Sequence, residues 1–293
     1  MRKKKKRSLE DWVLDIIIYS FLIFLTIVTI YPMWYVIVAS LSPESYIATQ
    51  GSRLIWPGQF SLNAYKLAFE HRTLMNGFKI SILIEFMSLP INLFLTLLCG
   101  YFMASTKMMF KKPIIYMMMF TMFFSGGLVP AYLNVKQLGL YDSLWALVLP
   151  GALSIYNANI CKTAMEGIPE SLTESAYIDG ANDFQILFKI LVPLLKPTMA
   201  VLTLYYGVAH WNTWFNAMVY IDSKDLKPAQ LILRDILIVA QELGNEAGAS
   251  DFDKFAESIQ YAAIVIITVP IMCVYPFLQK HFAKGVMIGA VKG

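Results

Sequence analysis

Long apolar runs separated by polar segments dominate the sequence. A helix of about 20 apolar residues crosses the ~30 Å hydrocarbon core of a membrane, and runs of this order recur along the chain. They lie at residues 13–39, 80–104, 114–135, 144–160, 199–221 and 259–282. This pattern predicts an all-α membrane protein. Its six transmembrane helices form one domain, residues 13–282, between a basic N-terminus, residues 1–12, and a C-terminal tail, residues 283–293.

The composition also favours a membrane protein, because apolar residues make up 57% of the chain and charged residues only 15%. Soluble domains average about 45–50% apolar and about 25% charged residues. Cys99, Cys161 and Cys273 lie in or at the ends of apolar runs and lack metal-ligand spacing. We interpret them as packing residues and expect no disulfide framework.

The distribution of positive charge predicts the orientation. Six basic residues precede the first apolar run, and with that end inside, fifteen Lys and Arg lie on the inner side and nine on the outer side. Positive residues accumulate on the cytoplasmic side of membrane proteins, so both termini are expected in the cytoplasm of a bacterium, on its inner membrane. The basic N-terminus is then a topology signal with affinity for anionic lipid, and no nucleic-acid partner is expected.

The fourth run is short and is interrupted by Pro150 and Gly151. Such a break survives in lipid only where neighbouring helices or water satisfy the freed backbone groups. We therefore expect this break to face other helices.

Two long segments are predicted on the external side. Residues 41–79 carry a possible interfacial helix near residues 62–71. Residues 222–258 contain a helical stretch that Pro228 opens and Gly244 closes. A helix in the second loop suggests contact with an external partner, and the alternative is a helix that lies on the bilayer.

Residues 169–197 form a polar insert between two apolar runs. Ser171 and Glu174 have the spacing of a capping box, in which each side chain bonds the other's free backbone donor. We predict a short helix over residues 171–179. Gly180 follows it as the residue that can turn the backbone without a Cβ penalty.

A second helix is predicted after this turn. Asn182 and Gln185 can cap its start, and Pro193 is expected to end it. A compact helix-turn-helix on the cytoplasmic side is typical of a docking element. The alternative is an ordinary loop that caps well.

The fifth run has a polar face. At 100° per residue, Tyr205, Asn212 and Asn216 share one stripe, which is extended by Tyr206, His210 and Thr213. Polar groups segregate on a transmembrane helix where that face meets protein or water. Aromatic and amide groups together suit a sugar, and hydrogen bonding between packed helices is the alternative. Trp211 is interpreted as a packing residue.

Glu85 lies within the second run. A carboxylate near the bilayer centre costs about 2.5–3.5 kcal/mol on insertion scales, so it should face the bundle interior or a water-filled path. A pair with His210 or with a cation of a partner is one possibility. The two residues also support an alternative function, a self-contained ion-coupled transporter or channel.

Signatures of enzymes are missing from the sequence. It has no G-x-x-x-x-G-K-[ST] phosphate loop, no H-E-x-x-H and no C-x-x-C, and its three histidines lie in different regions. Ser125 precedes two glycines, which suggests an intramembrane serine protease, but no histidine is placed to activate it and close helix packing is favoured. We expect no enzymatic activity, no metal and no cofactor on this chain.

The polar insert resembles a known pattern. Glu174-Ser175-Ala176, three residues, Gly180, nine residues and Ile190-Leu191-Val192-Pro193 resemble the EAA loop of ABC importer permeases, with Ser175 and Val192 as mild departures. The flanking residues, the six spans and the ending Gly285–Gly293 resemble the carbohydrate branch and its maltose-type MalG subunit. Phe124–Pro130 further resembles permeases for complex or acidic oligosaccharides, such as alginate-oligosaccharide importers.

The resemblance implies a type I ABC importer permease of the MetI-like and MalG-like fold, which moves oligosaccharides by alternating access. Residues 166–198 would be the EAA loop, with a cytoplasmic coupling helix seated on an ATPase. The implied coupling residues are Glu174, Ser175, Ala176, Ile178, Asp179, Gly180, Ala181, Ile190 and Pro193.

The resemblance also implies the partners. They are a second, MalF-like permease in a heterodimer, a homodimeric MalK-like ATPase that binds ATP and magnesium, and an external solute-binding protein reached by loop 222–258. Gly289, Lys292 and Gly293 of the tail would insert between the ATPase subunits. In the maltose case the partner permease holds most of the sugar site, so substrate contact by Tyr205, Asn212 and Asn216 stays open.

Overall fold

The computed structural model describes residues 9–105, 108–242, 259–274 and 276. These residues form helices and turns, with no strand among them. The α-helices are α1 (Leu9–Ser40), α2 (Glu44–Gln50), α3 (Asn63–Glu70), α4 (Arg72–Ala104), α5 (Lys111–Phe123), α6 (Leu128–Gln137), α7 (Trp145–Val148), α8 (Ile155–Glu166), α9 (Glu170–Ile178), α10 (Asp183–Gln185), α11 (Val192–Leu194), α12 (Lys196–Trp211), α13 (Phe215–Tyr220), α14 (Ala229–Glu242) and α15 (Ile259–Val274). Gly51–Arg53 and Lys224–Leu226 are 3₁₀ turns, and Ile186–Leu191 is π-helical.

Two helices of the described residues, Glu10–Ser40 and Arg72–Ala104, are each long and apolar enough to cross a membrane. The pair α5 and α6 and the pair Asp183–Leu194 and Lys196–Trp211 also qualify if each bent pair is one span. The prediction of an all-helical membrane protein is confirmed. A count of six spans is consistent with these helices and stays a prediction.

Contacts divide the chain into two units, Met1–Glu70 with Ile236–Ile266 and His71–Asp235 with Ile267–Gly293. In the first unit, Val38, Ala39 and Leu54 form a small core. The Trp34 indole donates a 2.8 Å hydrogen bond to the carbonyl of Ile55. The apolar side chains of α1 before this core are exposed, as expected for a helix that faces lipid or another subunit.

In the second unit, α4 packs against α8 and α12. The approach of α4 to α8 depends on Gly100, because a Cβ there would lie 2.9 Å from both Cβ and Sγ of Cys161. Cys99 and Cys161 are buried, as the packing interpretation predicts, whereas Cys273 is exposed among the described residues.

The third apolar run is not one continuous helix. α5 and α6 meet at an angle of 114°, and residues 124–127 connect them. Gly127 has φ = 90°, a conformation that favours glycine, and its N–H donates a 3.1 Å hydrogen bond to Ser125 Oγ. Ser125 and the glycines therefore form a bend, and the prediction of close helix packing at this site is wrong.

The fifth run is also interrupted. α12 ends at Trp211, residues 212–214 turn, and α13 begins at Phe215. The N–H of Thr213 bonds the carbonyl of His210 and that of Trp214 bonds Asn212, so the i to i−4 pattern is replaced by tighter turns. The continuous polar stripe predicted from 100° periodicity is therefore correct only as far as His210.

Candidate functional site

The predicted helix-turn-helix of residues 169–197 is present. α9 ends in a Schellman motif, in which the N–H of Ala181 bonds the carbonyl of Ala176 and that of Gly180 bonds Tyr177. Gly180 has φ = 81°, as this motif requires. The helix before the glycine turn is confirmed, with bounds shifted by one residue.

The two predicted caps differ in outcome. Asn182 and Gln185 form a reciprocal capping box with hydrogen bonds of 2.9 and 3.0 Å, as predicted. Ser171 and Glu174 do not form one, because α9 starts one residue earlier, with Pro169 at the N-cap and no side-chain cap. Ser171 consequently lies inside the first turn and cannot cap it.

The helix after the turn passes Pro193, where it was predicted to stop. Ile186–Leu191 adopts π-helical hydrogen bonding, and α11 continues to Leu194. Proline has no N–H to donate, and a π segment, which shifts the bonding register by one residue, is one way for a helix to adapt to such a gap. The chain then bends by 85° into α12.

A cluster of hydroxyl groups ties the element to α4. Tyr101, near the end of α4, donates a 2.7 Å hydrogen bond to Asp183 Oδ1, and the hydroxyl of Tyr177 donates to the same oxygen. The bond to Asp183 raises the pKa of the Tyr177 hydroxyl, so the phenol stays a neutral donor at physiological pH. This cluster could not be predicted from the sequence, because Tyr101 and Asp183 are 82 residues apart.

The opposite side of the element carries exposed apolar side chains. Ile178 is 86% exposed and Phe184 64%, whereas Ala176 is buried against the bundle. Of the other predicted coupling residues, Ala181 and Ile190 are half-buried, and Glu174, Ser175, Asp179, Gly180 and Pro193 are exposed. Large apolar groups on an otherwise polar surface are typical of an interaction site.

A cavity of about 740 Å³ lies beside α12 and the fourth apolar run. Its polar and aromatic lining residues are Ser154, Tyr156, Asn157, Tyr205, Tyr206, His210, Thr213 and Asn216. Four of the six predicted pathway residues are thus brought together, and Asn212 and Glu85 are not among the lining residues. Leu204 and Val208, which sequence periodicity places on the opposite arc, also line it.

Two of these residues are held by hydrogen bonds between helices. The Tyr206 hydroxyl lies 2.7 Å from Thr96 Oγ1 and accepts from the N–H of Ser154 at 3.0 Å. His210 Nε2 lies 3.1 Å from Asn92 Oδ1. For Tyr206 and His210 the interhelical alternative is therefore observed, and Tyr205 and Asn216 remain exposed to the cavity.

Asn92 also satisfies the break in the fourth run. Its amide donates to the carbonyls of Gly151 and Ala152 at 3.1 and 2.9 Å. The expected contact of the Pro150-Gly151 break with another helix is thus present, and the Asn92 side chain is fully buried. A buried amide with three partners fixes the local geometry strongly.

Glu85 is half-buried, with both carboxylate oxygens buried, and is not paired with His210. Neither carboxylate oxygen forms a hydrogen bond within the described residues, although the backbone of Trp211 lies near enough to interact. The carboxylate packs against Gly207, where a Cβ would lie 3.6 Å from Oε2. The predicted pair of Glu85 and His210 is wrong, because among the described residues neither Glu85 oxygen bonds His210, and His210 Nε2 contacts Asn92 instead.

Asn212 lies at the C-terminal cap of α12. Its amide donates to the carbonyl of Val208 at 2.8 Å, and its oxygen accepts from Gln230 of α14 at 3.2 Å. Trp211 is buried and donates to the carbonyl of Ile267 at 3.0 Å, so its interpretation as a packing residue is confirmed.

The predicted helix after Pro228 is present as α14, and its start packs into the bundle. The N–H of Ala229 donates to Ser81 Oγ of α4 at 2.9 Å, which caps the helix. Gly77 permits the approach, because a Cβ there would lie 3.3 Å from the Ala229 backbone and would overlap Ile232. Residues 243–258 and the tail residues Gly289, Lys292 and Gly293 lie outside the described residues.

The segment before α14 is held by Asp142. Its carboxylate accepts from the backbone N–H groups of Asp222 and Ser223, at 3.0 and 2.8 Å, and from the Ser223 hydroxyl. The hydrogen bond from the Ser223 hydroxyl lowers the pKa of Asp142.

Across the described part of the chain, no group of three or more His, Cys, Asp or Glu could hold a metal ion.

Comparisons with known proteins agree on one family. The family described as "Binding-protein-dependent transport system inner membrane component" matches residues 80–288. The polygalacturonan/rhamnogalacturonan transport system permease protein YtcP of Bacillus subtilis is 37% identical over 97% of this chain and 100% of its own. Protein LplC of the same organism is 39% identical over 91% of this chain and 90% of its own.

The fold has a counterpart among solved structures. A chain of a bacterial ABC transporter involved in the import of the acidic polysaccharide alginate superposes with a TM-score of 0.85. It is 26% identical, and the match covers 95% of this chain and 100% of that chain.

Proposed function

This chain belongs to the family of binding-protein-dependent transport system inner membrane components, and from that premise we propose that it is the permease subunit of an ATP-driven importer of oligosaccharides. The element of residues 166–198 carries the proposal. It keeps the EAA spacing and is anchored to α4 through Tyr101, and it exposes Ile178 and Phe184 to a partner.

In the coupling step, α9 would transmit a movement of the ATPase to the membrane helices. Ile178 and Phe184 would enter an apolar cleft of the ATPase, since burying such side chains stabilises a complex by about 1.5–3 kcal/mol each before binding costs. Closure of the ATPase dimer on ATP and magnesium then moves α9, and the buried Ala176 and the Asp183 cluster transmit the movement to α4.

The predicted orientation would put this element in the cytoplasm. With the six predicted spans, fifteen of the Lys and Arg residues would lie on the side of the N-terminus, which favours cytoplasmic termini. The ATP and magnesium belong to the partner ATPase, because this sequence has no phosphate loop.

The substrate is an oligosaccharide, and an acidic one is favoured. The names of YtcP and of the alginate importer describe transport of polygalacturonan and alginate. The cavity of about 740 Å³ offers the exposed ring of Tyr205 and the amide of Asn216. Aromatic faces stack on sugar C–H groups, and amides bond hydroxyls.

The remaining partners follow from the family. A second permease completes the membrane pathway, and a solute-binding protein delivers substrate to the external side. Loop 222–258 would contact the binding protein through the part that follows α14. Gly289, Lys292 and Gly293 would contact the ATPase.

Reconstitution tests this function. The chain, co-expressed with its partner permease, ATPase and binding protein, is expected to purify as one complex whose ATP hydrolysis rises when binding protein and an oligosaccharide are both present. Hydrolysis that ignores both additions, or a chain that transports in the absence of any ATPase, would refute the proposal.

A further inference from the structure

The start of α14 presents a polar edge to the break that follows α12. Gln230 and Arg234 are one turn apart and share a face of the helix. Gln230 Nε2 donates to Asn212 Oδ1 at 3.2 Å, and the Arg234 guanidinium lies 5.2 Å from the centre of the Trp214 ring. The edge therefore runs along residues 212–214.

This break borders the cavity. Thr213 directly precedes Trp214 and Asn216 follows two residues later, and both line the cavity of about 740 Å³. Trp214 is 40% exposed, and the Arg234 side chain is 36% exposed. A cation and an indole ring are thus held together beside the candidate sugar site, and both remain accessible.

The charges around this edge do not cancel. Among the described residues, Asp235 is the carboxylate that both cations contact, with Lys227 Nζ at 3.4 Å and Arg234 Nη1 at 3.5 Å. At 3.5 Å the contact of Arg234 exceeds the usual N–H···O range of about 2.7–3.2 Å. One positive charge remains, and the guanidinium is not engaged in a close bidentate pair with Asp235.

The chemistry of the pair fits a carboxylated sugar. A guanidinium binds a carboxylate through two parallel N–H···O bonds, and an indole ring packs on the C–H face of a pyranose. A uronic acid displays both groups on one ring, whereas a neutral sugar offers no anion to Arg234.

We propose that Arg234, oriented by Trp214, is a specificity-determining residue that selects uronate-containing oligosaccharides at the edge of the cavity. The inference rests on the proposed oligosaccharide import and adds the residue that reads the acidic group. This role could not be predicted from the sequence, because no Lys or Arg lies on the polar face of the fifth run and Arg234 comes from another helix.

The test compares two substrates of one shape. The complete transporter in proteoliposomes, with its binding protein, imports trigalacturonate or its methyl ester, which lacks the negative charges. In Arg234→Gln we expect uptake of trigalacturonate to fall about tenfold, because the charged two-bond contact is replaced by at most a neutral hydrogen bond. Uptake of the ester should change less than about twofold. Uptake of trigalacturonate by Arg234→Lys should lie between that of the unmodified protein and that of Arg234→Gln, because lysine keeps the charge but cannot form two parallel hydrogen bonds.

Lys224→Gln is the matched control, because it removes an exposed cation of the same segment that lies outside the Arg234, Trp214 and Asp235 group. It should leave both substrates unchanged. Equal losses for both substrates in Arg234→Gln, or no loss for either, would overturn the proposal while leaving oligosaccharide import itself intact. Failure of the unmodified transporter with every oligosaccharide would instead reject the proposed function.

Discussion

The hydroxyl of Tyr101 donates a hydrogen bond of 2.7 Å to the carboxylate of Asp183, across 82 residues of sequence. Tyr177 of α9 donates to the same oxygen. Hydrogen bonds to a charged acceptor are roughly twice as strong as neutral ones. A displacement of α9 therefore reaches α4 through these side chains, and it reaches α10 through the backbone of the glycine turn.

Loss of this bond should weaken coupling between ATP hydrolysis and transport. Tyr101→Phe removes one donor to Asp183 and leaves the ring in place, so we expect transport per ATP to fall about threefold to tenfold. The ratio is measured in proteoliposomes with binding protein and substrate. Tyr116→Phe, on the exposed face of α5, is the control, and a coupling ratio equal to the unmodified protein in Tyr101→Phe would contradict the role of the bond.

The turn at Gly180 depends on its backbone conformation and not on space. A Cβ at this position would meet no atom within 4 Å, but φ is +81°. Gly180→Ala should cost about 1 kcal/mol through strain. Gly180→Pro cannot adopt this φ and loses the N–H bond to Tyr177, so it should abolish substrate-stimulated ATP hydrolysis.

Gly167→Ala is the matched control, because Gly167 has φ = −78° and an added Cβ would make only ordinary contacts. All three variants should insert in the membrane to the same extent, as measured by their yield in the membrane fraction. Stimulated hydrolysis retained in Gly180→Pro would show that the turn is not needed for docking.

Local spacing was sufficient to predict part of the element. Gly180 and the capping box of Asn182 and Gln185 involve residues at most a few positions apart, and the structure confirms both. Ser171 and Glu174 have equally suitable spacing, but the helix begins one residue earlier and the box does not form. Spacing alone does not determine where a helix starts.

Contacts between distant segments could not be predicted. Asn92 bonds Gly151 and Ala152 from about 60 residues away, and nothing in either segment indicates the pairing. The break after Trp211 could not be predicted either, because no Pro or Gly marks residues 208–216 and periodicity assumes a regular helix. Glu85 and His210 were paired on chemistry alone, whereas the fold gives His210 another partner.

Asn92 should be important for stability. Asn92→Leu removes the partner of two carbonyls and of His210, and a buried polar group left without its partner costs about 1–3 kcal/mol. We expect a lower melting temperature of the purified complex in detergent. Asn159→Leu is the control, because Asn159 is half-buried and its amide donates to the carbonyl of Ile155 in its own helix and to the weak acceptor Met119 Sδ. An equal loss of stability in both variants would contradict this role of Asn92.

The Asp142 carboxylate should protect the segment before α14 from exchange. In Asp142→Ala the amides of Asp222 and Ser223 lose their acceptor, and we expect their hydrogen exchange to become about tenfold faster. Exchange of the peptide 221–226 is followed by mass spectrometry. Asp225→Ala is the control, and unchanged protection in Asp142→Ala would contradict the assignment.

The effect of pH on this segment follows from the same carboxylate. The pKa of Asp142 in the folded protein is below its ordinary value of 3.8, because the charged form accepts the Ser223 hydrogen bonds. Its contribution to stability is therefore complete above pH 3.8 and is lost as the pH falls through the lower, folded value. Protection corrected for intrinsic exchange should stay constant between about pH 8 and 4.5, and a decrease within that window would be inconsistent with Asp142 as the acceptor.

Substitution of Asn216 should affect transport, and substitution of Asn212 should affect stability. Asn216 lines the cavity, whereas Asn212 lies outside the lining and its side-chain amide bonds the carbonyl of Val208 and the Gln230 side chain. Asn216→Leu should reduce oligosaccharide uptake about tenfold with an unchanged melting temperature, since it removes hydroxyl partners from the site. Asn212→Leu should lower the melting temperature instead, because Gln230 loses its acceptor. Uptake and thermal unfolding are measured on the same preparations, and the opposite assignment of effects would place the substrate path along the Asn212 side of α12.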